Sequence, residues 1–195
     1  MTQLEAGGKA DIFVLPGYED RFSGTSGILN RIGMENFLLS KDAILLHAAF
    51  VACGGKGILF TGPSGVGKST QADLWEKHLG AEIINGDRAV LRKEAGWTAY
   101  GSPYAGSSGI YRNENAPVSA IVVLKQAKEN RLEKLTSRQA FPEVYSQLAL
   151  CRWDRVFMEK ATDLCLDLLQ NVPVYRLSCL PAESAVDCLR KGLGL

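Results

Sequence analysis

Residues 57–71 read GILFTGPSGVGKSTQ. An apolar run stops at a glycine, a glycine-rich loop follows, and Lys68-Ser69-Thr70 close it. Ile58, Leu59, Phe60 and Thr61 are β-formers, so 57–61 reads as a buried strand. Segment 68–79, KSTQADLWEKHL, sets Ala72, Trp75 and Leu79 on one helical face. Strand, loop and helix are the context that G-x-x-x-x-G-K-[ST], the P-loop pattern, requires, and Gly62, Gly67, Lys68 and Ser69 fit it. Gly62, Gly65 and Gly67 permit backbone angles that a side chain forbids, so that successive N–H groups turn inward around an anion. The expected nucleotide-binding set is Gly62, Pro63, Ser64, Gly65, Val66, Gly67, Lys68, Ser69 and Thr70. In this reading Lys68 reaches the β- and γ-phosphates as a point charge and the Ser69 hydroxyl ligates Mg²⁺. The helix beginning near Lys68 aims its positive end at the phosphates. The expected cofactors are therefore ATP and Mg²⁺.

The rest of the chain is read outward from this segment. AILLHAAFVA at 43–52 and the strand 57–61 flank Gly54-Gly55 and suggest a hairpin leading into the loop. AEIING at 81–86 reads as a short strand ending at Asp87, and AVLRK (89–93) and WTAYG (97–101) as a second hairpin. Residues 102–117 are rich in Gly, Ser, Asn and Pro and read as a long loop, followed by the β-prone run SAIVVLK at 119–125. Phe141, Val144, Tyr145 and Leu148 give one helix face, with Pro142 placed in its first turn. Met158, Ala161, Leu164, Cys165, Leu168 and Leu169 give another. A strand at 172–179 and a helix over roughly 182–192 complete the chain. Residues 1–36 lack periodicity and read as a short strand around 11–15 followed by irregular chain. The expected organisation is a short N-terminal extension, 1–36, and a P-loop kinase domain, 37–195. The fold class is α/β, a P-loop-containing mixed sheet flanked by helices.

Composition excludes several classes of function. Twenty-two basic against twenty-one acidic residues give a net charge of +1, which makes no electrostatic case for nucleic acid or an anionic membrane. No apolar run has the length of a bilayer span, and MTQLEAGGKADIF has no basic stretch followed by an apolar one, so a cytoplasmic protein is expected. Cysteines at 53, 151, 165, 179 and 188 have no C-x-x-C spacing and read as buried free thiols in a reducing compartment. With His47 and His78 the only histidines, a Cys/His metal site is not expected. Trp97, Trp153 and Tyr145 read as core aromatics.

A phosphate loop needs an acid beside it. The apolar strand 120–124 is followed by Lys125 and Gln126, so no carboxylate stands there. Asp87 ends the strand that follows the loop helix, eighteen residues after Ser69. At that place it either orients the metal or accepts the proton of an attacking hydroxyl; a simple turn acid is the alternative. Arg88 and Arg112 either meet phosphate or acceptor or are solvated surface charges. Glu114, in the long loop, is a further metal candidate, and Asn130 and Arg131 are candidates for the nucleotide.

With these residues assembled, the chain resembles the catalytic domain of HPr kinase/phosphorylase, whose fold is shared with ATP-dependent phosphoenolpyruvate carboxykinase. The resemblance covers roughly 43–125 by motif. It implies a role for His47, in LLHAAF, on the strand before the loop. It sets Gly86-Asp87-Arg88-Ala89-Val90 against the family's Asp-Asp-Ala-Val, so Asp87 takes the place of the catalytic acid and Arg88 replaces the second Asp. That replacement disfavours a second metal and the reverse, phosphorylase reaction. A small branch found beside bacterial peptide-modification genes, including lasso-peptide precursor kinases, is similar in its Gly-Asp-Arg, in the loop Gly101–Gly109 and in VPVYRLSC. The resemblance implies an ATP-dependent kinase acting on a hydroxyl, a serine of a peptide or protein, with Asp87, Lys68 and His47 catalytic. A small-molecule kinase and a nucleotide-binding regulatory protein without transfer activity are the alternatives, and a homo-oligomer is left open.

Overall fold

A computed structural model describes residues 2–4, 10–22 and 25–195. In chain order its strands are Thr2–Leu4 (β1), Ala10–Ile12 (β2), Ala43–Cys53 (β3), Lys56–Thr61 (β4), Glu82–Asn85 (β5), Arg88–Lys93 (β6), Trp97–Tyr100 (β7), Asn115–Gln126 (β8), Arg131–Leu135 (β9) and Val174–Cys179 (β10). Its helices are Thr25–Leu29 (α1), Met34–Leu39 (α2), Lys68–Leu79 (α3), Ser137–Tyr145 (α4), Arg155–Asn171 (α5) and Glu183–Leu193 (α6).

Two long apolar strands organise the sheet. The middle of β3 and of β8 is buried on both faces, which is why both read as near-continuous hydrophobic runs. β3 pairs antiparallel with β6 through Ala43–His47 and with β4 through Ala48–Cys53. β8 pairs with β7 through Asn115–Pro117 and parallel with β4 through Val118–Val123. The pairings therefore close into a ring, β4–β3–β6–β7–β8–β4. The sheet then extends from β8 through parallel β10 to antiparallel β9, while β5 pairs with β3. β1 and β2 form a separate antiparallel pair.

Helices cover both faces. One apolar core joins the sheet to α4 and α5 through Val144, Phe157, Ala161, Cys165 and Leu168. The other joins it to α3 and α6 through Ala72, Trp75, Ala185, Val186 and Leu189. Trp75 packs edge-on against Phe60 of β4, with ring centroids 5.9 Å apart, so the loop between β4 and α3 is clamped at both of its ends. A mixed sheet with flanking helices is thus the observed architecture.

Several local expectations need correction. β8 begins at Asn115, so the connection from β7 is shorter than 102–117; backbone pairing with β7 overrides the weak β-propensity of Asn115 and Pro117. β9 was not expected, because RLEKL is charged and buries only Leu135 fully; it exists by pairing with β10. Pro142 lies in the second half of α4, not its first turn, since the capping box at Thr136 and Gln139 starts the helix earlier. Trp153 is 86% exposed rather than core, in the turn between α4 and α5. In the N-terminal part the strand is Ala10–Ile12, and α1 and α2 stand where irregular chain was expected. The 36/37 boundary falls inside α2, whose Leu39 belongs to the main core. Residues 1, 5–9 and 23–24 of the extension lie outside the described residues. All five cysteines are free, Cys53 and Cys188 being only partly buried.

Candidate active site

The loop between β4 and α3 is built from backbone. Gly62, Gly65 and Gly67 have φ of 140°, 77° and 112°, a region that favours glycine. A Cβ on Gly62 would also stand 3.1 Å from Val66 Cγ1. α3 begins with Gly67 at its N-cap and no side-chain cap, so its first-turn N–H groups are unclaimed by any side chain. Lys68 is 8% exposed and folds back over the loop, donating from Nζ to the carbonyls of Gly62 at 3.1 Å and Pro63 at 3.2 Å. Burial pulls its pKa down, and the negative charge of Asp87 opposes that pull. Ser69 is partly buried in the first turn of α3, and Thr70 is exposed.

Asp87 is held by a different kind of structure. Asn85, at the end of β5, is fully buried. Its Oδ1 accepts from the backbone N–H of Asp87 at 2.9 Å and of Arg88 at 2.7 Å, and its Nδ2 donates to Ser102 O at 2.7 Å. Ser102 Oγ donates in turn to Arg88 O at 2.5 Å. The Asp87 carbonyl accepts from Ala48 N at 2.9 Å, tying the turn to β3. One residue along β3, His47 places Nε2 3.6 Å from Asp87 Oδ1, while Arg88 Nε lies 3.5 Å from Oδ2. Arg88 is steadied by the Tyr104 ring, 4.7 Å beneath its guanidinium, and its Nη1 lies 3.4 Å from Asn30 Oδ1. The loop after β7 presses onto the carboxyl: a Cβ added to Gly106 would come 2.7 Å from Asp87 Cβ.

His47 has its backbone N–H on Gln147 O at 2.9 Å, so the chain after α4 runs beside it. Its pKa is lowered, first by burial and then by the charge of Lys68; Asp87 and the Gln147 side chain oppose this, and Arg88 adds to it. The imidazole is therefore neutral at pH 7, and its pKa responds to both Lys68 and Asp87.

Lys68, Asp87, His47 and Arg88 thus share one corner. The other candidates lie elsewhere. Arg112 donates from Nη1 to Glu82 Oε1 at 2.7 Å and from Nε to Ile83 O at 3.0 Å, bracing β5. The Glu114 side chain is exposed, with none of the candidate residues bonded to it among the described residues; only its carbonyl is used, by Gly101 N at 2.9 Å. Asn130 stitches the turn after β8 to the turn before α6, accepting from Leu180 N at 3.0 Å and donating to Ser184 Oγ at 2.8 Å. Arg131 is an exposed residue at the start of β9. Sequence reasoning missed Asn85, Ser102, Tyr104 and Gln147. Asn85 carried a signal, since Asn ahead of Gly-Asp is a turn former that bonds its own backbone two residues on; the other three carried none.

Three recesses lie around the site, two of them lined by loop residues. A cleft of about 660 Å³ lies between Pro63–Val66 and Val123–Gln126, closed by Glu143 and Arg176. A second, of about 230 Å³, is lined by His47, Arg88 and Ser146–Ala149. A third, of about 420 Å³, lies on the α3 side between Gly65–Gly67 and the ends of β8 and β10. The largest is not the one that touches Asp87's neighbours; the 230 Å³ recess is. Among the described residues no three His, Cys, Asp or Glu side chains gather as a metal-binding group, and no helix is long and apolar enough to cross a membrane.

Comparison with known proteins adds the relationship. No curated protein matches the chain. Among solved structures it is similar to the Hpr(Ser) kinase/phosphatase from Coxiella burnetii, at 12% identity and a TM-score of 0.45, covering 76% of this chain and 95% of that one. Residues 36–182 match the family model described as SynChlorMet cassette protein ScmC. That match spans about three quarters of the sequence and includes the loop, His47, Asp87 and Arg88, so the chain belongs to the ScmC family of SynChlorMet cassette proteins.

Proposed function

We propose that the protein is an ATP-dependent kinase that transfers the γ-phosphate to a hydroxyl, a serine of a peptide or protein. The observation that carries this reading is the pairing of two unlike groups across one corner: a lysine folded over a glycine loop at a bare helix start, and a carboxylate whose charge acts on that lysine. Glycine-supported N–H groups and a helix N-terminus suit phosphates. Asp87 suits the acceptor: its Oδ1 faces a neutral imidazole, and the 230 Å³ recess lined by His47 and Arg88 opens next to it.

In the proposed step the acceptor oxygen attacks phosphorus as its proton passes to Asp87. The bond between the γ-phosphorus and the bridging oxygen breaks, and ADP leaves with the electron pair. Lys68 offsets charge on the phosphate oxygens, and fixed N–H groups need no reorganisation to do the same. His47 faces Asp87 Oδ1 as a neutral imidazole, and Arg88 offers a cation to an acidic or phosphate-bearing acceptor. Ser69 and Asp87 are the residues that would hold Mg²⁺. A sparse protein donor set fits an ion that keeps waters and phosphate oxygens, and when bound it supplies charge neutralisation between the phosphates.

A second reading, a nucleotide-binding regulator without transfer, is favoured by one observation: Arg88 lies 3.5 Å from the carboxylate that a base must keep free. A small-molecule kinase remains a variant of the first reading. The deciding experiment is ADP release and phosphoserine formation with ATP, Mg²⁺ and a panel of serine peptides and small alcohols. Acceptor-dependent ADP release that Asp87→Asn abolishes supports transfer; ATP binding without transfer to any acceptor supports the regulator.

A further inference from the structure

Resting on the nucleotide reading of the loop, we infer that the 420 Å³ recess on the α3 side is the purine pocket, and that Gln71 selects adenine there by accepting a hydrogen bond from its exocyclic amino group. The loop and the recess share Gly65, Gly67 and Thr70, so a nucleotide whose phosphates lie over Lys68 has this space directly beyond them. The volume is within the usual range for a small-molecule site. Val66, Ala127 and Pro181 add apolar surface to its lining, which a base can pack against.

Gln71 is what makes the recess selective. It is 2% exposed, on the first turns of α3, three residues beyond Lys68. Its Nε2 donates to Cys179 Sγ at 3.5 Å. Its Oε1 is buried and has no hydrogen-bond partner among the described residues. A buried carbonyl without a donor is unfavourable, and a ligand N–H that reaches it relieves the cost. Adenine presents an amino donor at that edge. Guanine and hypoxanthine present a carbonyl there, which would set two acceptors face to face.

The scaffold around this oxygen is fixed independently. Gln126 Nε2 donates to Gly65 O at 3.2 Å, joining the end of β8 to the loop. Asn130 bonds Leu180 N and Ser184 Oγ, joining the turn after β8 to the turn after β10. Both lips of the recess are thereby held at their separation before any base arrives. Asn130, a residue the sequence suggests for the nucleotide, acts here through the walls rather than by touching the ligand.

The test is calorimetric titration of the full chain with ADP, GDP, IDP and tripolyphosphate. ADP is expected to bind about tenfold or more tightly than IDP and GDP. Gln71→Leu is expected to erase the difference between ADP and IDP. Ala127→Trp, at the partly exposed rim, serves as a second variant that fills the recess without altering a buried polar group. It is expected to lower the ratio of ADP to tripolyphosphate affinity by about tenfold. Equal binding of ADP and IDP by the parent, or an ADP preference that survives Gln71→Leu, overturns the inference. If ADP binds no better than tripolyphosphate, the base has no pocket here, but the phosphate reading of the loop stands. If none of the four binds to folded protein, both readings fall together.

Discussion

The two halves of the proposed site are made in opposite ways. The loop at 62–70 is one continuous stretch whose shape comes from glycine backbone angles and one helix start. The Asp87 corner is assembled from β3, the β5–β6 turn, the loop after β7 and the chain after α4, and side chains fasten it: Asn85, Ser102 and Tyr104 hold the turn that presents the carboxylate. A local backbone device survives much sequence change around it. A device made of distant side chains fails when a single tie is cut. The contrast predicts where single substitutions will be selective and where they will spread.

The largest effect should come from Asp87→Asn, which keeps shape and removes the charge. Transfer is expected to fall ~10²–10⁴-fold while nucleotide affinity is largely kept. Parallel losses of binding and transfer in calorimetry and ADP-release assays would instead make Asp87 a metal-holding or structural residue. Lys68→Ala should cost about 10²–10³-fold in transfer and weaken triphosphate binding as well. A variant that transfers phosphate as fast as the parent removes the loop from the mechanism.

Asn85 tests the assembled half directly. Asn85→Leu leaves Asp87 N, Arg88 N and Ser102 O without partners, at a cost of ~1–3 kcal/mol for each buried group. Asn85→Asp retains the acceptor for the two N–H groups and should recover part of both stability and turnover number. Denaturant melts and a separation of kcat from KM check this, since a merely structural role would not change kcat in the folded fraction.

His47 sets a pH dependence. Its pKa lies below the ordinary 6.5 because burial disfavours the imidazolium. The stability this neutral burial preserves is present above 6.5 and is lost as the pH falls from there through the lowered value, where the folded protein must take up the proton. A proton on His47 also pairs it with Asp87, so transfer should decline over the same acidic window. His47→Asn should remove that decline, and a pH–rate profile unchanged by the substitution would separate His47 from the reaction. The smallest effect belongs to Arg112→Gln. Its exposed pair with Glu82 predicts a stability change of about 0–1 kcal/mol and unaltered turnover.

The same contrast explains what the sequence could tell. The loop, its strand and its helix were legible because glycine spacing and apolar periodicity are local properties of residues 57–79. The hairpins around it were legible for the same reason. β9 was not, because RLEKL looks like solvated chain until β10 supplies its hydrogen bonds. Asp87 could be placed by its distance from the loop, yet neither Ser102 nor Tyr104 could be tied to it, since fifteen or more residues separate them from it and no periodicity connects them. Residue type alone gave Arg112 the same reading as Arg88, a phosphate or acceptor contact or a surface charge. Only the register of β5 against the loop after β7 assigns Arg112 to Glu82. Trp153 was counted as core on residue type alone, and a turn between two helices has no apolar face to receive it.

The three indoles have an optical consequence. Trp153 stands in water, Trp97 is nearly covered with its Nε1 on Asp167, and Trp75 is sealed against Phe60 about two turns along the helix that starts at Lys68. A soluble quencher should extinguish Trp153 first and leave the blue-shifted emission of the other two. Replacing Trp153 by phenylalanine would remove that background without touching the sheet. The remaining signal would include a ring rigidly attached to the loop helix, so filling the loop could be followed by fluorescence in unlabelled protein.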